Sequence, residues 1–363
     1  PDEGSMMQWR LHLSYNNPTE IVGTRERIFA VANGELYSFN RADEVLEYWD
    51  QSKGLNGTTI SHICQDKTSG DLVIAYSNGR IDLMDSDGNV RQIPDIYTKA
   101  GTISTQINAI SSGAKKTYLA MTFGVVAIDC KRGEVSDTYY VGHEATNLEI
   151  LQVVELNDSI YAFSSDSVYS ACLHDNLADY HFWHASHTQL NNLTHAAIYR
   201  DDLYSLQDSL LYRYKNGAWE PVDSKKIDWI HAGDGKMLVC TESHILYEMD
   251  NSGKLSGLCD RYVINDAVYS QGEYWLGEAN FGLIRLNSNG DDYFHTEGPS
   301  TNLTYSLHAA HGHIYSVNGG RWASEYARPA RVNIYDGNSW RSVSEYEITT
   351  NIGKVIIDPV SVA

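Results

Sequence analysis

Residues 108–135, NAISSGAKKTYLAMTFGVVAIDCKRGEV, decide the fold because they hold three apolar strands separated by a polar turn and a glycine-marked turn. The same order recurs at 195–219, HAAIYRDDLYSLQDSLLYRYKNGAW, at 228–255 and at 266–293. A repeat of roughly 33 to 47 residues made only of strands is typical of a β-propeller, in which each repeat forms one blade. The sequence therefore predicts an all-β propeller, a rigid ring that favours binding over catalysis.

Eight repeat units can be traced, near 19–49, 59–94, 106–141, 150–183, 193–222, 227–258, 262–295 and 303–343. The eighth unit belongs either to this ring or to a neighbouring propeller, so the prediction is seven or eight four-stranded blades. We expect a tag or flexible N-terminus at 1–7, the propeller at 8–345, and the truncated start of a further repeat at 346–363. Residues 8–13, QWRLHL, resemble outer strands of other units and are a candidate for closing the ring on its last blade.

Short turn signals separate the predicted strands. Asn33-Gly34 and Asn78-Gly79 follow alternating apolar runs, and Asp87-Gly88 separates the third and fourth strands of the second unit. Asn-Gly is a strong hairpin signal because both residues adopt positive φ at little cost. The segment Asp85–Asn89 also resembles the start of a calcium loop, but the twelfth position is Ile96 instead of glutamate. We therefore interpret this segment as a hairpin turn.

Composition narrows the class of protein further. The 363 residues carry a formal net charge of −20 and include 25 Tyr and eight Trp, which suits half-buried pleated surfaces. Such a charge repels nucleic acid and anionic lipid. No apolar run approaches the ~18 residues of a membrane span. The five cysteines show no CxxC spacing and are expected to be structural thiols.

The second unit carries a recognisable pattern. Residues 53–90, KGLNGTTISHICQDKTSGDLVIAYSNGRIDLMDSDGNV, resemble the repeat of two-component-regulator propellers, although GLNGT departs from that family's usual wording. Five segments are similar to the N-terminal propellers of the PorZ family: WRLHLSYNNPTEIV (9–22), LVIAYSNGRIDLM (72–84), QINAI (106–110), TYLAMTFGVVAID (117–129) and YSACLHDNLADYHFW (169–183). The similarity runs from Trp9 to about Pro359.

The PorZ resemblance implies a non-enzymatic component of the type IX secretion system of Bacteroidetes. It implies two propellers and a small C-terminal β-domain, export with removal of a signal peptide, and location in the periplasm or at the outer membrane surface. The implied partners are other secretion-system proteins or lipopolysaccharide. The alternative resemblance implies the ectodomain of a hybrid two-component sensor that binds an oligosaccharide and dimerises. The oligomeric state stays open, and no cofactor is expected.

A long insertion in the eighth unit, GGRWASEYARPAR (319–331), supplies the predicted binding residues. Long loops on rigid scaffolds tend to carry function, and arginine and tryptophan are common interface anchors. The predicted ligand or partner residues are Arg321, Trp322, Glu325, Tyr326, Arg328 and Arg331. A solvated loop with one tucked tryptophan is the competing interpretation.

A histidine-rich stretch in the fourth unit invites a metal hypothesis. Its candidate ligands are His174, Asp175, Asp179, His181, His184 and His187. On a strand, positions i and i+3 point to opposite faces, so the histidines are not expected to converge and no metal site is predicted. The chain also lacks GxSxG, HExxH and a phosphate-cradling Gly loop. A glycan-active enzyme therefore stands as the weakest of three hypotheses.

Overall fold

The structure is a computed structural model that describes residues 11–98, 104–186, 190, 192–319 and 331–344. Within these ranges, thirty-two strands form eight four-stranded antiparallel sheets. Helices are short: an α-helix at Asp95–Thr98 and 3-10 turns at Gln51–Lys53, His143–Ala145 and Tyr180–Phe182. None of the described helices is long and apolar enough to cross a bilayer. The prediction of an all-β chain built from four-stranded blades is confirmed.

Each sheet is formed by four consecutive strands paired in chain order. The first four sheets comprise β1 (Pro18–Gly23), β2 (Arg27–Ala32), β3 (Glu35–Asn40) and β4 (Val45–Trp49); β5 (Ile60–Gln65), β6 (Leu72–Tyr76), β7 (Ile81–Met84) and β8 (Val90–Ile93); β9 (Ile107–Ser112), β10 (Thr117–Met121), β11 (Gly124–Asp129) and β12 (Glu134–Tyr139); β13 (Gln152–Leu156), β14 (Ser159–Phe163), β15 (Val168–Cys172) and β16 (His184–Ser186). The last four comprise β17 (Thr194–Tyr199), β18 (Asp202–Gln207), β19 (Leu210–Lys215) and β20 (Ala218–Pro221); β21 (Ile227–Gly233), β22 (Lys236–Thr241), β23 (Leu246–Met249) and β24 (Leu255–Cys259); β25 (Ile264–Ser270), β26 (Glu273–Glu278), β27 (Gly282–Arg285) and β28 (Asp292–Phe294); β29 (Ser306–Ala310), β30 (His313–Val317), β31 (Arg331–Tyr335) and β32 (Trp340–Ser344).

Seven of the sheets close a ring. Residues 17–294 form one compact unit, and within it the first strand of each sheet contacts the first strand of the next. The series closes because β1 of the first sheet contacts β25 and β26 of the seventh. The sequence left the blade number at seven or eight, and the ring itself has seven. The eighth sheet lies in a second compact unit with residues 11–16.

The ring closes through side-chain contacts between the first and the seventh sheets, each of which is formed by four consecutive strands. The Asp266 carboxylate accepts a hydrogen bond from the Ile21 N–H at 2.8 Å, and the Asn265 amide donates to the Pro18 carbonyl at 2.9 Å. At the outer part of the same seam, the Arg41 guanidinium pairs with Glu273 at 2.9 Å. Residues 11–13 of the candidate closing strand are not in a strand, and residues 8–10 lie outside the described ranges.

The second strands explain why the repeats read as continuous apolar runs. All residues of β2 (RIFAVA), β6 (LVIAY) and β10 (TYLAM) are buried, because neighbouring sheets cover both of their faces. The hydrophobic core therefore lies between successive sheets and continues around the ring. Packing on both faces makes each sheet stiff and fixes the loops at its ends.

The predicted hairpin turns adopt two geometries. Asn33 and Gly34 both have positive φ, 53° and 79°, as an Asn-Gly hairpin requires. At the second Asn-Gly pair the left-handed position is Gly79, while the Asn78 side chain accepts the Arg80 N–H at 3.1 Å. In the turn that resembles a calcium loop, Asp85 accepts the backbone N–H groups of Asp87 and Asn89. Its carboxylate is thus used in shaping the turn.

The second compact unit contains the eighth sheet. Trp340 Nε1 donates a hydrogen bond to His12 Nδ1 at 3.0 Å, and the His12 ring lies 4.7 Å from the Tyr335 ring. In the same unit, the buried Asn333 side chain accepts from the Ser300 and Ser342 hydroxyls. Residues before the first blade therefore pack on the eighth sheet within this unit.

Candidate functional site

Most of the predicted loop site lies outside the described residues. This applies to Arg321, Trp322, Glu325, Tyr326 and Arg328. Arg331 is exposed at the start of β31, where its N–H donates to the Asn318 side chain at 3.0 Å. The insertion therefore stays a prediction.

The histidine-rich stretch forms a structural loop on the fourth sheet. The loop covers 173–183 and is the longest connection between a third and a fourth strand in the ring. Asp179 starts a 3-10 turn by accepting the His181 N–H, and its carboxylate lies 2.6 Å from His181 Nδ1. The buried Trp183 donates its indole N–H to the Leu177 carbonyl at 2.9 Å. His187 lies outside the described residues.

No three His, Cys, Asp or Glu side chains converge as metal ligands within the described ranges. His174 faces Asp158 at 3.6 Å, and both side chains are largely exposed. None of the five cysteines, all described, forms a disulfide. Burial raises the thiol pKa of Cys64 and of Cys240 to about 12 in each case, so both stay protonated.

The same loop forms one wall of a cleft between the third and fourth sheets, which we call the loop cleft and which exposes polar and apolar atoms about equally. Its volume is about 330 Å³. The third sheet contributes the 114–116 turn with Tyr118, Asp137 and Tyr139, and the fourth contributes Glu155, the 157–158 turn and residues 173–178. The sequence pattern drew attention to this loop as a possible metal site, which was not predicted, and gave no sign of the cleft, because the opposite wall comes from another repeat.

Fixed polar pairs line the floor of the loop cleft. The Tyr118 hydroxyl donates to one Glu155 oxygen at 2.6 Å, and the Ala114 N–H donates to the other at 2.6 Å. Lys116 Nζ lies 2.5 Å from an Asp137 oxygen and 3.5 Å from the Tyr139 hydroxyl. Each group is therefore held in place by a partner from a neighbouring strand or turn.

These pairs also set the protonation states. Burial, followed by the hydrogen bond to Glu155, raises the pKa of Tyr118, and burial raises the pKa of Tyr139. Burial is the largest single effect and would lower the pKa of Lys116, but the hydrogen bonds and charges of Asp137 and Tyr139 together outweigh it, so the pKa rises. Near neutral pH the floor thus presents neutral phenols and a charged ammonium.

A second, shallower cleft of about 440 Å³ lies between the fifth and sixth sheets. Lys236 and Glu248 form its main ion pair at 2.5 Å, and the Tyr199 hydroxyl donates to the Met249 carbonyl at 3.2 Å. Short turns, 234–235 and 250–254, border it. Without a long loop as a wall, this cleft offers a ligand fewer contacts than the loop cleft.

The axis of the ring is lined by the seven first strands, which contain no lysine or arginine. Two histidines there face carboxylates: His62 lies 3.4 Å from Glu20, and His231 lies 3.4 Å from Asp266. Burial is the largest single effect and acts to lower both pKa values, but the hydrogen bonds and negative charges around each ring, mainly those of these carboxylates, together outweigh it and raise the pKa values.

The histidine and carboxylate pairs also link successive sheets. Glu20 of β1 accepts the Ile63 N–H of β5 at 2.9 Å, as Asp266 of β25 accepts that of Ile21. A β-bulge near the start of the strand precedes Glu20, His62 and Asp266. Bulges re-aim side chains, which here turns these groups towards the neighbouring sheet.

A family model matches part of the sequence, and solved propeller structures superpose on the fold. The model of the N-terminal β-propeller domain of PorZ, from the type IX secretion system, matches residues 28–184. The predicted resemblance to the PorZ family is confirmed. The PorZ structure of Porphyromonas gingivalis superposes with a TM-score of 0.82 at 24% identity, over 96% of this chain and 48% of that one. This chain thus spans about half the length of PorZ, which is described as an essential bacterial surface component of that secretion system.

Other propellers share the fold at lower similarity. The extracellular domain of a hybrid two-component system protein from B. thetaiotaomicron aligns with a TM-score of 0.58 at 13% identity, over 92% of this chain and 48% of that one. The WD40 propeller of Doa1 aligns with a TM-score of 0.56 at 11% identity, over 76% of this chain and 93% of that one. No curated protein matches the sequence significantly.

Proposed function

We propose that the chain is a non-enzymatic binding scaffold of a PorZ-like type IX secretion component, exported to the periplasm or the outer membrane surface. The match of residues 28–184 to the PorZ N-terminal propeller supports the secretion role. The ring offers fixed surfaces, because neighbouring sheets cover each other's faces and most of its strands are connected by short turns. Its partners would be other secretion-system proteins or lipopolysaccharide.

The hydrogen bonding and the raised tyrosine pKa in the loop cleft are the observations that support a non-enzymatic role. A general base must be able to turn towards the substrate and must have a pKa near the working pH. Both oxygens of Glu155 instead accept hydrogen bonds from this chain, and the Tyr118 phenol has a raised pKa. This arrangement suits binding better than proton transfer.

The test combines binding with turnover. Purified protein would be titrated with lipopolysaccharide from a Bacteroidetes source, used as bait against outer-membrane extracts, and incubated with chromogenic glycosides. Saturable lipopolysaccharide binding or capture of secretion-system proteins, without turnover, is the expected result. Turnover that is lost in Glu155→Gln would overturn the proposal, as would the absence of both kinds of partner.

A sensor ectodomain is the second candidate, favoured by the propeller of the hybrid two-component protein that aligns over 92% of this chain. Such a receptor would bind an oligosaccharide and dimerise. Light scattering of the purified chain with and without oligosaccharide distinguishes the two roles. A ligand-dependent doubling of mass would favour the sensor.

A further inference from the structure

We propose that the loop cleft binds an uncharged saccharide unit, through fixed donors and acceptors on the third and fourth sheets. Its volume of about 330 Å³ lies at the lower end of small-molecule pockets, which run from about 300 to 1,000 Å³. A cleft of this size takes one or two sugar rings and is too small for a helix or strand of a partner. Saccharide binding here rests on the proposed binding role of the ring and names one ligand site for it.

The wall of the cleft is preorganised. Trp183 is buried, donates to the Leu177 carbonyl, and lies 6.1 Å from the Tyr139 ring of the third sheet. The loop is thereby anchored to both sheets that form the cleft. A ligand would not have to order this loop, so little binding energy is lost to conformational entropy.

The polar groups on the floor of the loop cleft can form further hydrogen bonds in addition to those that they make with one another. An ammonium group has three donors, and Lys116 directs two contacts to Asp137 and Tyr139. Each carboxylate oxygen has two lone pairs, so Glu155 and Asp137 can still accept hydrogen bonds. A sugar hydroxyl both donates and accepts, which matches alternating ammonium and carboxylate groups at fixed positions.

The charge balance decides against an acidic ligand. Two lysines, Lys115 and Lys116, line the cleft together with four carboxylates, those of Asp137, Glu155, Asp158 and Asp175. The formal sum is two negative charges, on a chain whose net charge is −20. Phosphorylated or uronic sugars would enter against this field, whereas neutral hydroxyl groups would not.

The experiment titrates the protein by calorimetry with uncharged trisaccharides (maltotriose, mannotriose and chitotriose) and with trigalacturonate. We expect at least one neutral trisaccharide to saturate one site and trigalacturonate not to bind. Asp137→Asn should weaken the neutral ligand about tenfold, the effect of losing one charged hydrogen bond. Asp137→Asn combined with Asp175→Asn should also admit trigalacturonate.

Asp87→Asn, at the exposed tip of the β7–β8 turn, is the matched control that removes one charge outside the cleft. It should leave every affinity unchanged. The inference is overturned if no neutral trisaccharide saturates, if trigalacturonate binds the native protein as tightly, or if the cleft variants behave like the control. Lipopolysaccharide or protein capture that survives such a failure would leave the scaffold role standing.

Discussion

Asp266 is the residue on which closure of the seven-sheet ring can be tested most sharply. Its carboxylate accepts the Ile21 N–H at 2.8 Å and faces His231 at 3.4 Å, so it joins the seventh sheet to the first and the sixth. Ile21 is fully buried. Asp266→Ala therefore leaves a buried N–H without its acceptor, whereas Asp266→Asn retains a carbonyl oxygen at the same place.

The size of the effect follows from desolvation of the N–H group. A buried donor left unsatisfied costs about 1–3 kcal/mol, so we expect Asp266→Ala to be about 2 kcal/mol less stable than Asp266→Asn. With an unfolding entropy of about 2.1 cal/mol/K per residue, such a loss lowers the Tm of a chain of this size by about 3 °C. Replacing Glu20, which accepts the Ile63 N–H at 2.9 Å, should have a similar effect at the next junction.

The assay is urea unfolding followed by tryptophan fluorescence, with hydrogen exchange of the Ile21 amide as a local readout. Asp228→Ala, at an exposed position of β21, serves as the control for loss of one acidic side chain on the ring axis. Exchange at Ile21 should accelerate in Asp266→Ala alone. Equal stability of the alanine and asparagine variants, with unchanged exchange at Ile21, would refute closure through this carboxylate.

The remaining predictions concern pH, the loop and one turn. The pKa values of His62 and His231 are raised in the fold, so their stabilising contribution is complete below about pH 6.5 and is lost as pH rises through the raised values. The difference in unfolding free energy between the native protein and each His→Gln variant should therefore shrink from pH 6 to 9; a difference that grows would contradict the sign. Trp183→Ala should cost about 3–5 kcal/mol and expose the 173–182 amides to exchange, while β14 amides stay protected. Gly124 has a φ of +150°, and a Cβ at this position would lie 2.3 Å from the Tyr139 carbonyl oxygen. Gly124→Ala should therefore lower the free energy of unfolding by about 3 kcal/mol, as measured by thermal unfolding. A loss below about 1 kcal/mol would show that the strand pair relaxes.

Local features were predictable from the sequence because they depend on neighbouring residues. The Asn33-Gly34 pair specifies its turn through positive φ at both positions. The apolar runs of β6 and β10 indicate strands that are buried on both faces. Asp85 illustrates the same locality, since its carboxylate binds backbone groups two and four residues away. The repeat, the all-β class and the family resemblance follow from such short-range patterns.

The candidate site was only half visible in the sequence. The histidine-rich segment attracted attention through its composition, but its role as a cleft wall depends on Tyr139 and Lys116 of the preceding repeat. Neither residue belongs to a motif: Tyr139 is an ordinary strand position, and Lys116 lies in the turn before β10. The cleft exists because two sheets pack side by side and bring them within reach of the loop.

By itself the sequence determined the strands, the turns and a propeller of seven or eight blades. Only the tertiary structure decided that seven sheets close the ring, because closure depends on contacts such as that of Asp266 with Ile21, which are 245 residues apart. Each repeat has much the same pattern, so no repeat marks itself as the last. The number of blades is set by how successive sheets pack and by whether the first and the last can meet.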